Sequence, residues 1–284
     1  MFSFGHNPMR LFFVLLIAMG ASVYSPATAQ TLSKLRSDRI QISYVAPKNP
    51  AHQPVFRLLK ERQVLEKFKE FLSPLRLPRT LRLKLEGCDG EVNAWYEDGA
   101  ITVCYELIDD ILQNAPKETT AAGVTRLDAI VGPTIEVFLH EVGHAVFDYL
   151  GVPVLGREED AADQFAAYLL LQFAKNDSKR LIAGVAYSYH LDASRPTRKK
   201  NPFADEHGLP AQRFYNVLCM AYGADAKLFA DLVEKGHLPK ERAEGCEGEY
   251  GQVSWAMTKL ILPYVDERRA RQVRAKRLLR FDAQ

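Results

Sequence analysis

The chain lacks an excess of charge of one sign, and it has no long apolar run after its first 23 residues. Its 284 residues include 37 Lys and Arg against 35 Asp and Glu, a formal net charge of +2. This balance gives no reason to expect nucleic acid as a partner. Without a second apolar run of membrane length, we expect no stable membrane insertion of the mature chain.

The N-terminus is the one region with a long apolar run, and residues 1–29 are expected to form a signal peptide. Arg10 precedes the run LFFVLLIAMGASV, and the small residues Ala27, Thr28 and Ala29 follow it. This is the layout of a secretory signal, with cleavage before Gln30. An uncleaved anchor is the weaker alternative, because the run is short for a membrane span. The protein is therefore predicted to be exported, either periplasmic or secreted.

Cysteine is scarce, and none of the four cysteines forms a Cys-x-x-Cys motif. This argues against zinc held by cysteine. In an exported chain, an even number of cysteines favours disulfides over free buried thiols. Cys88 and Cys104 flank two strand-like runs, so a hairpin could bring them together, and Cys219 would then pair with Cys246. Other pairings stay open at this stage.

Strand-like segments come first and helical segments later, which predicts an α+β fold. Residues 30–284 are expected to form one domain, with an α/β lobe over 30–150 and a helical lobe over 151–284. Residues 55–75 have the apolar spacing of one helix, and two strands are expected around an Asp98-Gly99 turn. Further helices are expected over 158–175, 178–191, 209–222 and 225–236. Segment 125–150 is also helical, and it either begins at Gly132-Pro133 or is kinked there.

His140-Glu141-Val142-Gly143-His144 matches the pattern His-Glu-x-x-His. Residues four apart lie on one face of a helix, so both imidazoles can bind one metal ion. Glu141 lies one step round the helix, where it can contact a water molecule rather than the ion. The alternative is a solvated polar face, because the apolar residues form a stripe on the opposite side. That stripe contains Ile135, Phe138, Val142, Ala145, Val146 and Tyr149.

A cluster of carboxylates follows on the next predicted helix. Glu159 and Asp163 are four residues apart and share a face, whereas Glu158 is expected to point into the apolar stripe of that helix. Glu159 is therefore the better third ligand, and Asp163 is suited to accept a hydrogen bond from a ligand histidine. The alternative is an acidic helix N-terminus, which the helix dipole stabilises in any protein.

These residues resemble the gluzincin metallopeptidases, which include thermolysin and neprilysin. The motif His140-Glu141-x-x-His144 followed by Glu159-x-x-x-Asp163 carries the resemblance, which implies a zincin-like fold and one Zn²⁺ ion. Asn93, Ala94, Trp95 and Tyr96 resemble the edge-strand motif with which gluzincins bind substrate backbone. An ordinary aromatic strand is the alternative for that segment.

The chain is more closely similar to a bacterial family of suspected metallopeptidases known as a domain of unknown function. HEVGHAVFD, GREEDAADQ and DEHGLPAQRFYNVLCMAYG carry this resemblance. One difference from thermolysin is the shorter link, since only fourteen residues separate His144 from Glu159. Antiparallel helices with a short connection can accommodate that link.

A zinc peptidase needs a further donor for the oxyanion, and His207 is the first candidate for it. Thermolysin-like enzymes place a carboxylate-supported histidine after the third ligand, as in the order seen here. Arg213, Tyr187 and Tyr189 are weaker candidates, and a loop histidine without a role in catalysis is the alternative.

The sequence thus predicts an exported zinc peptidase with a peptide or protein substrate. Glu141 would act as general base on a zinc-activated water, and Asn93 to Tyr96 would align the substrate. A zinc hydrolase of another amide is one alternative. The other is a binding module of the cell envelope without catalysis, although such a module has no need of Glu141.

Overall fold

The computed structural model describes residues 35–195 and 201–276. The predicted signal peptide lies outside the described residues. Within these ranges, no helix is both long and apolar enough to cross a membrane.

A four-stranded mixed sheet forms the first part of the fold. Its strands are β1 (Ile40–Tyr44), β2 (Leu81–Glu86), β3 (Ala94–Glu97) and β4 (Ala100–Cys104), in the order β1-β2-β4-β3. The pairs β1–β2 and β2–β4 are parallel, and β3 pairs antiparallel with β4. In β2, Leu81, Leu83 and Leu85 are fully buried, as the alternating sequence LRLKLE requires. Because β3 stands at the end of the strand order, it is an outer strand of the sheet.

The hairpin between β3 and β4 confirms the turn predicted at Asp98-Gly99. Both residues have positive φ, 46° at Asp98 and 75° at Gly99. Two consecutive residues of this kind are typical of the tight turns whose twist matches that of paired strands. The short turn fixes the register of β3, since it leaves no slack between the strands.

Three helices accompany the sheet: α1 (Gln53–Glu61), α2 (Val64–Leu72) and α3 (Tyr105–Asn114). The prediction of one helix over 55–75 was wrong. Gln63 has a left-handed conformation, with φ of 52°, and it separates α1 from α2. Because of this break, both short helices bury their apolar faces in the core, including Leu59 from α1 and Phe68 from α2.

Helix α4 (Arg126–Leu150) passes through the core and contains Pro133. Of the two predicted alternatives, the longer helix is therefore correct. It begins at Thr125, whose side chain forms a capping box with Asp128, and it ends at Gly151 in a left-handed conformation. Both ends of the helix therefore have clear signals in the sequence.

The remainder of the fold is helical, so the predicted α+β class with a mostly helical second part is confirmed. The helix α5 stops earlier than predicted, at Leu170, and only five residues of segment 225–236 are helical. The elements are α5 (Glu158–Leu170), α6 (Lys175–Ser194), α7 (Pro210–Ala224), α8 (Ala230–Glu234), α9 (Lys240–Ala243), α10 (Cys246–Ala256), a π-helix (Met257–Ile261) and α11 (Glu267–Lys276).

Glycines let two helices approach α4 closely. A Cβ atom at Gly143 would lie 3.2 Å from the backbone of Ala162 on α5, and one at Gly132 would lie 2.7 Å from the carbonyl of Leu181 on α6. Larger residues at these positions would force the helices apart. Gly143 lies inside the His-Glu-x-x-His motif, so the close approach brings α5 next to the two histidines.

Two disulfides join the pairs that the sequence favoured. Cys88 is bonded to Cys104, and Cys219 is bonded to Cys246. The first bond ties the loop before β3 to the end of β4. The second joins α7 to α10.

Candidate metal centre

The two histidines of the motif face each other across one turn of α4. The Nε2 atoms of His140 and His144 lie 3.1 Å apart. Their Nδ1 atoms lie 2.8 Å from carboxylate oxygens, His140 from Asp163 and His144 from Glu158. A carboxylate can only accept, so each Nδ1 carries the hydrogen. In the neutral rings the Nε2 lone pairs are then directed at a common point, as metal binding requires.

Glu159 completes a set of three convergent donor atoms. Its Oε2 lies 3.0 Å from Nε2 of His140 and 3.5 Å from Nε2 of His144. Three ligands about 2.0–2.2 Å from a tetrahedral zinc ion lie about 3.4 Å from one another. The three donor atoms already have nearly this spacing, so these residues fit a zinc ion.

Glu158 differs from its prediction. It was expected to point into the apolar stripe of α5, but its side chain is 55% exposed and accepts the hydrogen bond from His144. Glu158 is the first residue of α5, where no preceding turn restricts its side chain. It therefore supports His144 in the same way as Asp163 supports His140.

Hydrogen bonds between the histidines and carboxylates of this cluster shift the pKa values of both kinds of group. Burial alone would lower the pKa of His140, but hydrogen bonds to Asp163 and Glu159 outweigh it and raise the pKa to about 10. Burial would raise the pKa of Glu159, yet the hydrogen bonds from His140, His144 and His207 hold it far below its ordinary value. The centre is therefore strongly suited to hold positive charge, whether of protons or of a metal ion.

Glu141 lies beside the donor set, on the wall of a cavity of about 200 Å³ that His140 also lines. Its side chain is buried, and burial raises the pKa of its carboxyl. A carboxylate with a raised pKa is a stronger base than one in water. Its place next to the donors, in a cavity open to a ligand, is that expected of a general base.

His207 reaches the donor set from the loop before α7. Its Nε2 lies 2.8 Å from Oε2 of Glu159, and its ring stacks on that of His140 with centroids 5.8 Å apart. Its Nδ1 lies 3.4 Å from a carboxylate oxygen of Asp205. The structure thus brings His207 to the centre, with the carboxylate of Asp205 near its other ring nitrogen.

A buried polar network behind His140 involves residues that sequence reasoning missed or ranked low. Arg213 donates from Nε and Nη2 to the two carboxylate oxygens of Asp163, at 2.7 and 2.6 Å. The guanidinium also lies over the ring of Tyr189, whose hydroxyl donates to Glu136 at 2.7 Å. Glu136 was not considered, although it lies four residues before His140 and hence on the same face of α4. That spacing could have identified it.

Of the four residues predicted to bind substrate, Asn93 to Tyr96, only the first two line the cavity. Asn93 and Ala94 line the cavity beside Glu141, whereas Trp95 and Tyr96 are not among its lining residues. Tyr96 instead donates a hydrogen bond to Asp148 on α4. Strand β3 therefore lies against α4, and Asn93 and Ala94, at its beginning, line the cavity.

Comparison with known proteins agrees with this geometry. Residues 44–261 match the family described as "Putative metallopeptidase". No curated protein and no solved structure matched the chain. The matched range contains strands β2 to β4, the two histidines, Glu141, Glu159 and His207. The chain therefore belongs to this metallopeptidase family.

Proposed function

We propose that the protein is an exported zinc peptidase of the gluzincin type, which cleaves peptides or proteins in the cavity beside Glu141. The observation that carries the proposal is the convergence of Nε2 of His140, Nε2 of His144 and Oε2 of Glu159 next to that carboxylate. The family membership supports a peptidase. A zincin-like fold in a single domain over 30–284 is part of the proposal, and the sheet followed by helices is consistent with it.

His140, His144 and Glu159 would hold one zinc ion. Zinc bound by such ligands lowers the pKa of a water molecule to about 7 and polarises a carbonyl group. Two nitrogens and one carboxylate oxygen are ligand types that zinc prefers, and no cysteine is available because all four form disulfides. Asp163 and Glu158 would fix the rings by accepting from Nδ1.

Three groups of the chain would act on the substrate. Glu141 would take the proton from the attacking water, and its raised pKa brings its basicity closer to that needed near neutral pH. His207 would donate a hydrogen bond from Nε2 to the oxyanion, with Asp205 orienting the ring. The outer strand β3 would pair with the substrate backbone and align the scissile bond over Glu141.

The test is to measure zinc content and peptide cleavage of the mature protein and of its Glu141→Gln variant. We expect both proteins to hold one zinc ion, because Glu141 is not a ligand. Cleavage should fall about 100- to 10,000-fold, the usual contribution of a general base. Glu118→Gln, the same change at an exposed position, is the matched control and should retain full activity.

Two outcomes would contradict the proposal. A folded protein that takes up no zinc would rule out the metal site. Bound zinc with equal cleavage by the wild type and Glu141→Gln would rule out the general base. Cleavage of a small non-peptide amide, with no peptide cleaved, would instead favour the alternative of another zinc amidase.

A further inference from the structure

The cavity beside Glu141 continues along α4, away from the metal donors. From His140 and Glu141 its wall runs through Val137 and Pro133 to Ala129. Helix α3 adds the apolar side chains of Leu107 and Ile111 on the opposite side. The whole cavity has a volume of about 200 Å³. This part of it, here called the pocket, is lined by apolar side chains from two helices.

Among the described residues, two aspartates and one arginine line the side of this cavity that is formed by α3 and the end of α6. Asp110 from α3 and Asp192 from α6 both line it, and Arg195 lies between them. Nη1 of Arg195 is 3.3 Å from Asp192 and 3.8 Å from Asp110. One guanidinium thus serves two carboxylates, which leaves one negative charge in excess.

Arg213, which also lines the cavity, does not cancel this charge. Arg213 is only 19% exposed, and its guanidinium is bound to both oxygens of Asp163. Burial raises the pKa of Asp192, and the nearby carboxylate of Asp110 acts in the same direction, although Arg195 and Arg213 lower it in part. A second cation beside the two aspartates, in addition to Arg195, would offset the burial of Asp192 and its repulsion by Asp110.

We propose that the pocket selects substrates with a lysine or arginine next to the scissile bond, and that Asp110 and Asp192 determine this preference. The inference rests on the peptidase function proposed above. A basic side chain has an apolar stem and a cationic head, which match the apolar wall of α4 and the two carboxylates. An aliphatic side chain would fill the pocket but pair with neither acid, and an acidic one would be repelled.

The test uses peptides that differ at one position, which carries lysine, norleucine or glutamate. Norleucine is uncharged and similar in length to lysine, so the comparison isolates the charge. All peptides are acetylated at the N-terminus, which removes the α-amine as an alternative cation, and mass spectrometry of the products locates the scissile bond. We expect kcat/KM to be about tenfold higher for lysine than for norleucine, as for one charged hydrogen bond near the surface.

Asp192→Asn and Asp110→Asn should each reduce this preference, and the double variant should reduce it to about twofold or less, through a lower kcat/KM for the lysine peptide. Asp177→Asn is the matched control. Asp177 lies on the same helix as Asp192 but lines a different cavity, so the preference should stay tenfold. A second measurement avoids turnover: zinc-loaded Glu141→Gln should bind the lysine peptide about tenfold more tightly than the norleucine peptide in fluorescence anisotropy.

The outcomes separate this inference from the proposed function. If the wild type cleaves no peptide beyond the level of Glu141→Gln, the proposed function fails and the specificity with it. If the wild type cleaves lysine and norleucine peptides equally well, only the specificity is wrong. The same conclusion follows if the double variant keeps the tenfold preference, or if Glu141→Gln binds both peptides equally.

Discussion

The two faces of α4 border two different cavities. On one face, His140 and Glu141 line a cavity of about 200 Å³ with polar groups on several sides. On the other face, Val142 contributes to a cavity of about 390 Å³ whose lining is mostly aliphatic and aromatic. Of the described residues that line the larger cavity, only Asp177 and Arg274 are charged. The larger cavity thus contains no convergent set of reactive groups.

The difference shows that volume alone does not identify a reactive site. Burying a carboxylate or an imidazole costs free energy unless it is paired, whereas burying valine is favourable. The polar face of α4 has three buried ionisable residues in two turns, Glu136, His140 and Glu141. Stability alone would favour apolar residues at these positions. Contacts with α5, α6 and α7 offset the cost for Glu136 and His140, and buried ionisable groups of this kind are typical of functional sites.

The sharpest test of the comparison changes one residue on each face, two positions apart. His144→Ala removes a proposed zinc ligand, so we expect loss of bound zinc and a fall in peptide cleavage of about a thousandfold or more. Val142→Ala should keep one zinc ion and most of the activity. Its expected effect is a loss of about 1–3 kcal/mol in the free energy of unfolding, because it leaves a void in the core.

Zinc content, peptide cleavage and urea unfolding measure the three effects in parallel. The contrast between the faces would be lost if His144→Ala still held zinc with wild-type affinity. It would also be lost if Val142→Ala, while folded, released the ion.

The second prediction concerns pH and the polar face alone. Without metal, the pKa of His140 is raised to about 10, from an ordinary value of 6.5. The stability contributed by protonated His140 is then fully present below pH 6.5 and is lost as the pH rises through about 10. Zinc needs the neutral ring, so the apparent zinc affinity should rise with pH, about tenfold per unit for each proton displaced.

A chromophoric chelator in competition with the protein at pH 6, 7 and 8 measures this slope. In parallel, thermal unfolding of the chelated protein should show falling stability above pH 6.5. Asp163→Asn removes a hydrogen bond that raises the pKa of His140. The zinc affinity of this variant should therefore rise less steeply with pH. A zinc affinity that is flat between pH 6 and pH 8 would show that the metal displaces no proton.

Some parts of this fold could be predicted because their causes are local in the sequence. His140 and His144 lie one helical turn apart, so the helix alone brings their rings together. The turn at Asp98-Gly99 is likewise determined by two adjacent residues. Glu159 and Asp163 could be chosen because they share a face of one helix.

The parts that could not be predicted depend on contacts between distant segments. Tyr189 and Glu136 are 53 residues apart, and Arg213 and Asp163 are 50 apart. No spacing within one helix indicates such pairs. The break at Gln63 could not be predicted for a different reason, because the apolar pattern continues across it. Only packing on the sheet favours two short helices over one. Helix termini are similarly uncertain, as Glu158 shows.

The smallest predicted effect concerns the position of β3 beside the polar cavity. The apolar cavity lies between packed helices, whereas one wall of the polar cavity is β3, a strand of four residues. The hydroxyl of Tyr96 donates to Asp148 near the end of α4, and its ring packs edge-on against Tyr149 at 6.2 Å. Tyr96→Phe removes the hydrogen bond and keeps the ring contact.

We expect Tyr96→Phe to raise KM about two- to fivefold with little change in kcat, since one exposed hydrogen bond contributes about 0.5–1 kcal/mol. The reason is that a less restrained strand aligns the substrate less well, while the groups around Glu141 are unchanged. Thr102→Val, a similar loss of one hydroxyl on the neighbouring strand β4, is the control and should leave KM unchanged. Steady-state kinetics on one peptide distinguish the two. A fall in kcat with an unchanged KM would mean that Tyr96 acts on the reacting groups rather than on the strand.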